Sequence, residues 1–251
     1  MVVLCFCVPC LAQQDTSPAP DVFPERPVNW IKLVPNLAHD QKDIWSFPVS
    51  RSIVKHYKPV LALTAITAVT VATVDVPSGK YFQRTQSFYG FNQKFSGLNT
   101  SIAMFAAPSV FYGISLLRRS AYGQRTFLLA GEAVLDSEAL TTVMQDVDRR
   151  MKPSEVPLNG NFADTWFHSH AGSIGRGIGS FPSGHTIAAF SLATVFADRY
   201  PKHRWNALLA YGLASAVGFS RISLQSHHPS DVLAGAALGY SIAHYGVLHA
   251  Q

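Results

Sequence analysis

Six apolar segments, separated by polar stretches, constrain the fold of this 251-residue chain more than any other feature. They are rich in Ala, Leu and Gly, and none alternates apolar with polar residues over a useful length, so they favour helices over strands. Small residues four apart, such as Gly235 and Gly239, would let two helices pack closely. The sequence therefore predicts an all-α chain with a six-helix core bundle. The segments span residues 59–74, 98–117, 126–144, 184–197, 206–219 and 231 to about 248.

The lengths and charges of these segments bear on whether the bundle lies in a membrane. A helix needs about 20 mostly apolar residues to span a bilayer, and only segment 98–117 reaches that length. Segment 126–144 would bring Glu132, Asp136 and Glu138 into lipid unless their carboxylates faced the bundle interior. Basic clusters, however, flank the segments on one side of a six-span arrangement, as cytoplasmic loops do. We predict a membrane-embedded bundle, with a soluble one as the alternative.

The first 12 residues form an apolar segment that resembles a secretory signal peptide, because small residues at Cys10 and Ala12 precede a polar stretch. A cleaved signal would start the mature chain outside the cell, which conflicts with cytoplasmic basic loops. All 3 cysteines lie in this segment, so we expect neither disulfides nor thiolate chemistry in the mature protein. We divide the chain into a signal-like segment at 1–12, an N-terminal extension with loose and amphipathic parts at 13–57, and a helical domain at 58–251.

The charge pattern excludes nucleic acid as a partner. The formal net charge is +5, but Lys and Arg stand in short clusters between apolar stretches and form no continuous basic stripe. We interpret these clusters as loop anchors and as ligands for phosphate.

The first motif, Pro182-Ser183-Gly184-His185, opens the fourth apolar segment. Ser183 is placed to cap the helix that follows, and the exposed amides at that helix end would bind an anion. His185 would lie at the rim of this anion site, where it can exchange a proton. By itself the motif has modest specificity, because a Pro-Ser-Gly turn beside a chance His gives the same pattern.

The second motif joins Ser220 and Arg221 to His227 and Asp231. Pro229 opens the last apolar helix, so Asp231 falls in its first turn and can reach back to His227. A carboxylate bonded to one ring nitrogen fixes the tautomer and leaves the other nitrogen as nucleophile or base. The forked guanidinium of Arg221 suits phosphate oxygens. The structural alternative is a polar loop with a helix-capping aspartate.

Together the two motifs resemble those of the type 2 phosphatidic acid phosphatase and vanadium haloperoxidase superfamily, in their order, their separation of about 35 residues and the apolar helices between them. The resemblance runs from about residue 126 to the C-terminus. It implies a helical core bundle whose motifs converge at one end and hold phosphate without a metal or other cofactor. It also implies that His227 is the nucleophile, that Asp231 orients it, and that His185 is the general acid and base. The phosphoryl oxygens would be held by Arg221, Ser183 and Gly184.

A third motif of that superfamily, a Lys followed after six residues by Arg-Pro, is changed in this chain. Pro153 is present, but Lys152 stands in place of the Arg and Gln145 in place of the Lys. Lys152 keeps the charge without the bidentate fork, and Gln145 loses the charge. Arg150 or Arg149 is a candidate to restore part of this charge at the phosphate. We therefore expect reduced or altered activity.

These features predict a metal-independent phosphatase that hydrolyses phosphate monoesters through a phosphohistidine. The apolar helices favour a phosphorylated lipid or a polyprenyl diphosphate as substrate, and a small phosphate ester is the alternative. We expect the protein in the bacterial cell envelope, in contact with membrane lipid and with its site facing the periplasm, or free in the periplasm. Three other functions stay open: a broad-range periplasmic acid phosphatase, a vanadate-dependent haloperoxidase and a non-catalytic phosphate-binding protein.

Overall fold

The computed structural model describes residues 26–50, 52–85, 87–169, 173–202 and 204–249, so the signal-like segment and its cysteines lie outside the described residues. The described residues are mainly helical and include no β-strand. Two π-helical stretches, Val71–Asp75 and Ile242–Leu248, continue α2 into α3 and extend α9. The α-helices are α1 Leu33–Ser46, α2 Ser52–Thr70, α3 Val76–Arg84, α4 Tyr89–Lys94, α5 Gly97–Leu117, α6 Ala121–Asp148, α7 Gly184–Arg199, α8 Arg204–Ser223 and α9 Pro229–Ser241.

The all-α prediction is confirmed, and each of the six predicted segments lies in a long helix of the bundle. Helix α7 packs against α6, α8 and α9. Hydrogen bonds from Gln145 to Pro182 and from Ser183 to Asp231 bring the end of α6 beside the starts of α7 and α9. We call this the motif end of the bundle. The helix α2 begins at Ser52, before the predicted start of the helical domain at 58.

Glycines on α9 bring its backbone against the backbone of α7. A Cβ atom on Gly235 would lie 2.9 Å from the carbonyl oxygen of Ser183, and one on Gly239 would overlap the backbone of Ile187. Only glycine fits such a close approach of two helices. The predicted close packing at Gly235 and Gly239 is therefore confirmed, and it fixes the start of α9 beside the start of α7.

Two of the three carboxylates of segment 126–144, which lies in α6, face helix α1 and the chain before it. Glu132 and Asp40 both accept from the guanidinium of Arg26, at 2.5 and 2.7 Å. Asp136 accepts from the side-chain amide of Gln41 at 2.8 Å. Both α6 carboxylates are completely buried. The free-energy cost of burying these two carboxylates is offset by the ion pair and the hydrogen bonds that they form. Helix α1 therefore covers this side of the bundle.

Two helical stretches are long and apolar enough to cross a membrane, among the described residues. They are Tyr57–Arg84, with 28 residues, and Gly97–Leu117, with 21 residues. Their most apolar windows are only 6% and 17% buried, so they are not core helices of this bundle. Their apolar side chains face outward, which is the pattern of helices in contact with lipid. The π-helical stretch makes the first of them longer than the sequence predicted.

Candidate active site

The start of α7 carries the first motif. Ser183 occupies the N-cap position, as predicted, but its hydroxyl makes no cap bond to the helix backbone. Instead it accepts from the hydroxyl of Thr186 at 2.9 Å. The prediction that the Ser183 side chain caps the helix is therefore wrong. The Ser183 amide donates to the backbone carbonyl of Asp231 at 3.1 Å, which ties the first motif to the second.

His227 is held by a backbone carbonyl of the loop before α7. Its Nδ1 lies 2.7 Å from the carbonyl oxygen of Ser180 and 3.7 Å from Oδ2 of Asp231. The nearer acceptor is therefore Ser180, which corrects the prediction that Asp231 bonds this ring directly. With the Nδ1 proton donated to Ser180, the lone pair lies on Nε2. The adjacent His228 is completely buried, and its Nε2 lies 3.2 Å from the carbonyl oxygen of Met151.

Asp231 belongs to a buried network of charges. It lies in the first turn of α9, as predicted, and its Oδ2 accepts from the amide of His228 at 2.8 Å. Its Oδ1 accepts from Arg150, whose other terminal nitrogen donates to Asp75 at 2.6 Å. Burial alone would raise the pKa of Asp231, but His227 and Arg150 hold that pKa below its usual value.

Arg150 does not replace the lost charge of the third motif at the phosphate. Its guanidinium is 1% exposed, lies between Asp75 and Asp231, and stacks on the ring of Trp166 at 4.4 Å. A guanidinium between two carboxylates neutralises them and holds their positions. The suggestion that Arg150 binds phosphate is therefore not supported by its contacts, which assign it to positioning Asp231.

Sequence reasoning missed Asp75. Its Oδ1 accepts from the amide of Ser230 at 3.0 Å and its Oδ2 from the Ser230 hydroxyl at 2.5 Å, so it fixes the start of α9. Asp75 is 1% exposed and ends the π-helical stretch of the first apolar segment. A lone carboxylate at the end of an apolar segment was the available signal, because such a group is buried only with a partner.

Arg221 is a buried cation without an acidic partner in the part of the chain that the structure describes. It is 2% exposed, and its guanidinium donates to the carbonyl oxygen of Phe95 and to the hydroxyls of Ser220 and Thr100. No carboxylate of the described residues forms an ion pair with it. Burial lowers the pKa of Arg221 to about 10. A buried charge of this kind is costly unless an anion of opposite sign binds beside it.

His185 lies between Arg221, His227 and the start of α5. Its Nε2 is 3.1 Å from the hydroxyl of Ser101 and 3.2 Å from the carbonyl oxygen of Gly97. Burial, followed by the positive charge of Arg221, lowers the pKa of His185 to about 4. His185 is therefore neutral at pH 7 when no anion is present. The predicted group of His185, Arg221 and His227 is thus brought together, and helix α5 closes one side of it.

The two altered positions of the third motif make contacts of their own. Gln145 donates from its side-chain amide to the carbonyl oxygen of Pro182 at 2.7 Å, so it holds the loop that leads into α7. Lys152 has a side chain that is 36% exposed, and its Nζ lies 4.0 Å from Glu155. Neither position adds a buried cation beside Arg221. The charge available for a phosphate therefore rests mainly on Arg221.

Comparison with known proteins matches the region that contains all three motifs. Residues 126–250 match the model of the PAP2 superfamily. A lipid A 1-phosphatase of Porphyromonas gingivalis is 42% identical over 73 residues, which are 29% of this chain and 16% of that protein. A lipid A 1-phosphatase of Rhizobium etli is 31% identical over 106 residues, which are 42% of each chain. This chain therefore spans less than half the length of these relatives.

One solved structure resembles the chain over most of its length. It is a transmembrane PAP2-type phosphatidylglycerolphosphate phosphatase from Bacillus subtilis, with a TM-score of 0.41 and 19% identity. The match covers 86% of this chain and 92% of that one.

Proposed function

The chain belongs to the PAP2 superfamily through residues 126–250, and from this premise we propose that it is a membrane phosphatase that hydrolyses lipid phosphate monoesters through a phosphohistidine. The reaction would need no metal ion. The observation that carries the proposal is the buried guanidinium of Arg221, which lies beside His185 and His227 and forms no ion pair with a carboxylate of the described residues.

The surroundings of Arg221 fit an anion better than a structural role. An arginine that stabilises a fold is usually paired with a carboxylate, as Arg150 is with Asp75 and Asp231. Arg221 instead has only neutral acceptors among the described residues. Its planar fork presents parallel N–H donors that match two oxygens of a phosphate. Bound phosphate would supply the missing negative charge.

The two histidines fit the two halves of a displacement at phosphorus. Nε2 of His227 would attack the phosphorus atom while His185 donates a proton to the leaving oxygen, which gives an alcohol and a phosphohistidine. His185 would then take a proton from water, whose oxygen attacks the phosphohistidine and releases phosphate. The carbonyl of Ser180, 2.7 Å from Nδ1, keeps the attacking lone pair on Nε2. Asp231, 3.7 Å away, would stabilise the positive charge that develops on the ring.

A lipid substrate is supported by an apolar groove on the surface of the bundle. The groove has a volume of about 310 Å³ and runs between α8 and α9, where Phe219, Ile222 and Pro229 line it. Its walls suit an acyl or prenyl chain, and the outward-facing apolar helices suit a bilayer. The relatives named above act, by their names, on lipid A. We therefore favour a lipid phosphate or a polyprenyl diphosphate over a soluble ester.

The placement of basic residues supports a site that faces the periplasm. Lys58, Arg125 and Arg204 lie near helix ends remote from the motif end of the bundle. If the positive-inside rule holds for these loops, they are cytoplasmic and the motif end lies outside. This orientation rests on the basic loops and not on the signal-like segment.

Phosphate release by the full chain, purified in detergent and assayed with EDTA, tests this proposal. The substrates are phosphatidic acid, a polyprenyl diphosphate and p-nitrophenyl phosphate. We expect release that survives EDTA and is fastest with a lipid substrate. Preference for p-nitrophenyl phosphate together with extraction without detergent would indicate a soluble acid phosphatase. Bromide oxidation with vanadate and peroxide would indicate a haloperoxidase. No release from any substrate would overturn the proposal and leave the non-catalytic interpretation.

Replacement of Arg221 by Met should separate its role from fold stability. We expect kcat/KM to fall by about 10²–10³, because one main donor to the developing charge is removed. The thermal midpoint should change little, since the loss of the hydrogen bonds to Phe95 and Thr100 is offset by relief of a buried cation. Arg125→Met, at an exposed position, is the control for both measurements. If the Tm falls steeply and activity falls only in proportion, Arg221 is structural.

Anion binding should couple to protonation of His185. Sulfate remains a dianion from about pH 8 to about pH 5 and serves as the probe. The pKa of His185 is about 4 without a bound anion, and a bound dianion raises it. At a pH between the pKa of the free site and that of the sulfate-bound site, His185 therefore takes up a proton when sulfate binds. Sulfate should therefore inhibit more strongly as the pH falls, by up to about tenfold per pH unit. The same measurement on His185→Gln should show no such slope; a slope that persists there assigns the proton to another group.

A further inference from the structure

Two histidines and an aspartate meet at the end of the bundle opposite the motif end. Asp198 lies in the last turn of α7, and His244 and His249 lie in and just after the π-helical stretch Ile242–Leu248. Nδ1 of His244 is 2.6 Å from Oδ2 of Asp198, and the rings of the two histidines have centroids 4.3 Å apart. One ligand atom from each of the three residues lies within 4.8 Å of the others.

The π-helical geometry brings the two histidines together. In an α-helix, residues five apart point about 140° away from each other. In this stretch the amide of His249 instead donates to the carbonyl oxygen of His244 at 3.1 Å, so the backbone turns once in five residues. His249 therefore lies above His244 on one face. A regular α-helix over the same residues would separate the two rings.

The ring of His249 is oriented as in protein metal sites. Its Nδ1 lies 2.6 Å from the carbonyl oxygen of His244, and this bond leaves the lone pair on Nε2. Metal-binding histidines characteristically donate their other ring nitrogen to a carbonyl or carboxylate in this way. The ring of His244 is held by stacking on Tyr240, with centroids 5.2 Å apart and planes 10° apart. The side chains of Asp198 and His244 are 31% and 26% exposed, which leaves a path for an ion from solvent.

We propose that Asp198, His244 and His249 bind a divalent first-row metal ion such as Zn²⁺, with water in the fourth position. Ligands at about 2.0–2.2 Å from a tetrahedral ion lie about 3.4 Å from each other, so small side-chain rotations suffice. The ion would take the place of the proton that lies between Nδ1 of His244 and Asp198, and the neutral ring would then carry its proton on Nε2, by exchange through solvent. Bound there, the metal would fasten the end of α7 to the chain after α9. It would take no part in phosphate release, because the motif residues lie at the other end of these helices.

Metal binding to the full chain tests this assignment. The protein is purified without a polyhistidine tag, and Zn²⁺ binding is measured by equilibrium dialysis. We expect His244→Gln and Asp198→Asn each to lose one equivalent of tight binding, with affinity for that equivalent at least about tenfold weaker. His39→Gln is the matched control, because His39 also lies beside an aspartate, 3.4 Å from Asp43, but lacks a second histidine at that contact. Equal binding by all variants, or no Zn²⁺ bound by the unmodified chain, would overturn the proposal.

Two further readouts keep the test independent of variant folding. Zn²⁺ should raise the Tm of the unmodified chain in proportion to the logarithm of its concentration, and EDTA should reverse this rise without changing phosphate release. Co²⁺ should give the visible spectrum of a four-coordinate site with nitrogen and oxygen ligands. A Co²⁺ spectrum with strong thiolate charge transfer would instead assign the metal to the cysteines at the start of the chain.

Discussion

Replacing His227 by Asn should lower phosphate release by roughly 10³-fold or more, because removal of a nucleophile disables every later step. Asn removes the nucleophile but keeps a donor, because its side-chain amide can still donate to the carbonyl of Ser180, which lies 2.7 Å from Nδ1 of the histidine. The loop before α7 should therefore keep its geometry, and the Tm should change little. The measurement is kcat for the preferred lipid substrate, with EDTA present.

A chemical trap makes this prediction specific to His227. Unmodified protein quenched in base during turnover should carry labelled phosphate that is lost in acid, as expected of a phosphohistidine. His227→Asn should carry none. His228→Asn is the neighbouring control: its ring is completely buried and lies against the carbonyl of Met151, so the label should persist in whatever fraction folds. Label that disappears only in the His228 variant would show that the nucleophile was assigned to the wrong ring.

Replacing Arg150 by Met should destabilise the fold by about 3–5 kcal/mol, because it leaves two buried carboxylates without their shared cation. Asp75 and Asp231 are 1% and 0% exposed, so neither can turn to solvent. The measurement is denaturant titration of the protein in detergent micelles, with Arg125→Met as the exposed-site control, which should lie within about 0.5 kcal/mol of the unmodified protein.

A second variant decides whether that loss arises from charge. Asp75→Asn combined with Arg150→Met removes one of the two unpaired carboxylates and should recover part of the stability. The two changes would then be strongly non-additive. If the double variant is as unstable as the sum of the single ones, Arg150 stabilises the fold by packing on Trp166, 4.4 Å away, rather than by its charge.

The helices were predictable because their evidence is local. Apolar composition and the absence of two-residue alternation predicted six helices. Gly235 and Gly239 predicted close helix packing, which the structure shows between α9 and α7. The helix inferences need only residues that are near in sequence. The grouping of His185, Arg221 and His227 was instead implied by the resemblance of the two motifs to those of the superfamily.

Two of the errors concern partners that are distant in sequence. Arg150 meets Asp75 across 75 residues, and His227 meets the carbonyl of Ser180 across 47 residues. A backbone carbonyl leaves no trace in the side-chain pattern, so the acceptor for His227 could not be distinguished from Asp231. The π-helical stretches were missed for a related reason: one extra residue in a turn breaks a 3.6-residue pattern without marking where it does so.

The ion pairs of the site also determine which fragment of the chain can fold by itself. Arg150 and Arg221 lie inside the matched region 126–250, whereas Asp75 and the carbonyl of Phe95, which they contact, lie outside it. A fragment that begins at residue 126 would keep every motif residue. It would still lose Asp75, the counter-charge of Arg150, and the backbone of Phe95, which contacts Arg221. The bounds of a family match show which part of a chain is similar to its relatives, not which part folds by itself. A self-sufficient module ends where its buried charges are balanced, and in this protein that module reaches back past α1 to Arg26, the partner of the buried Glu132.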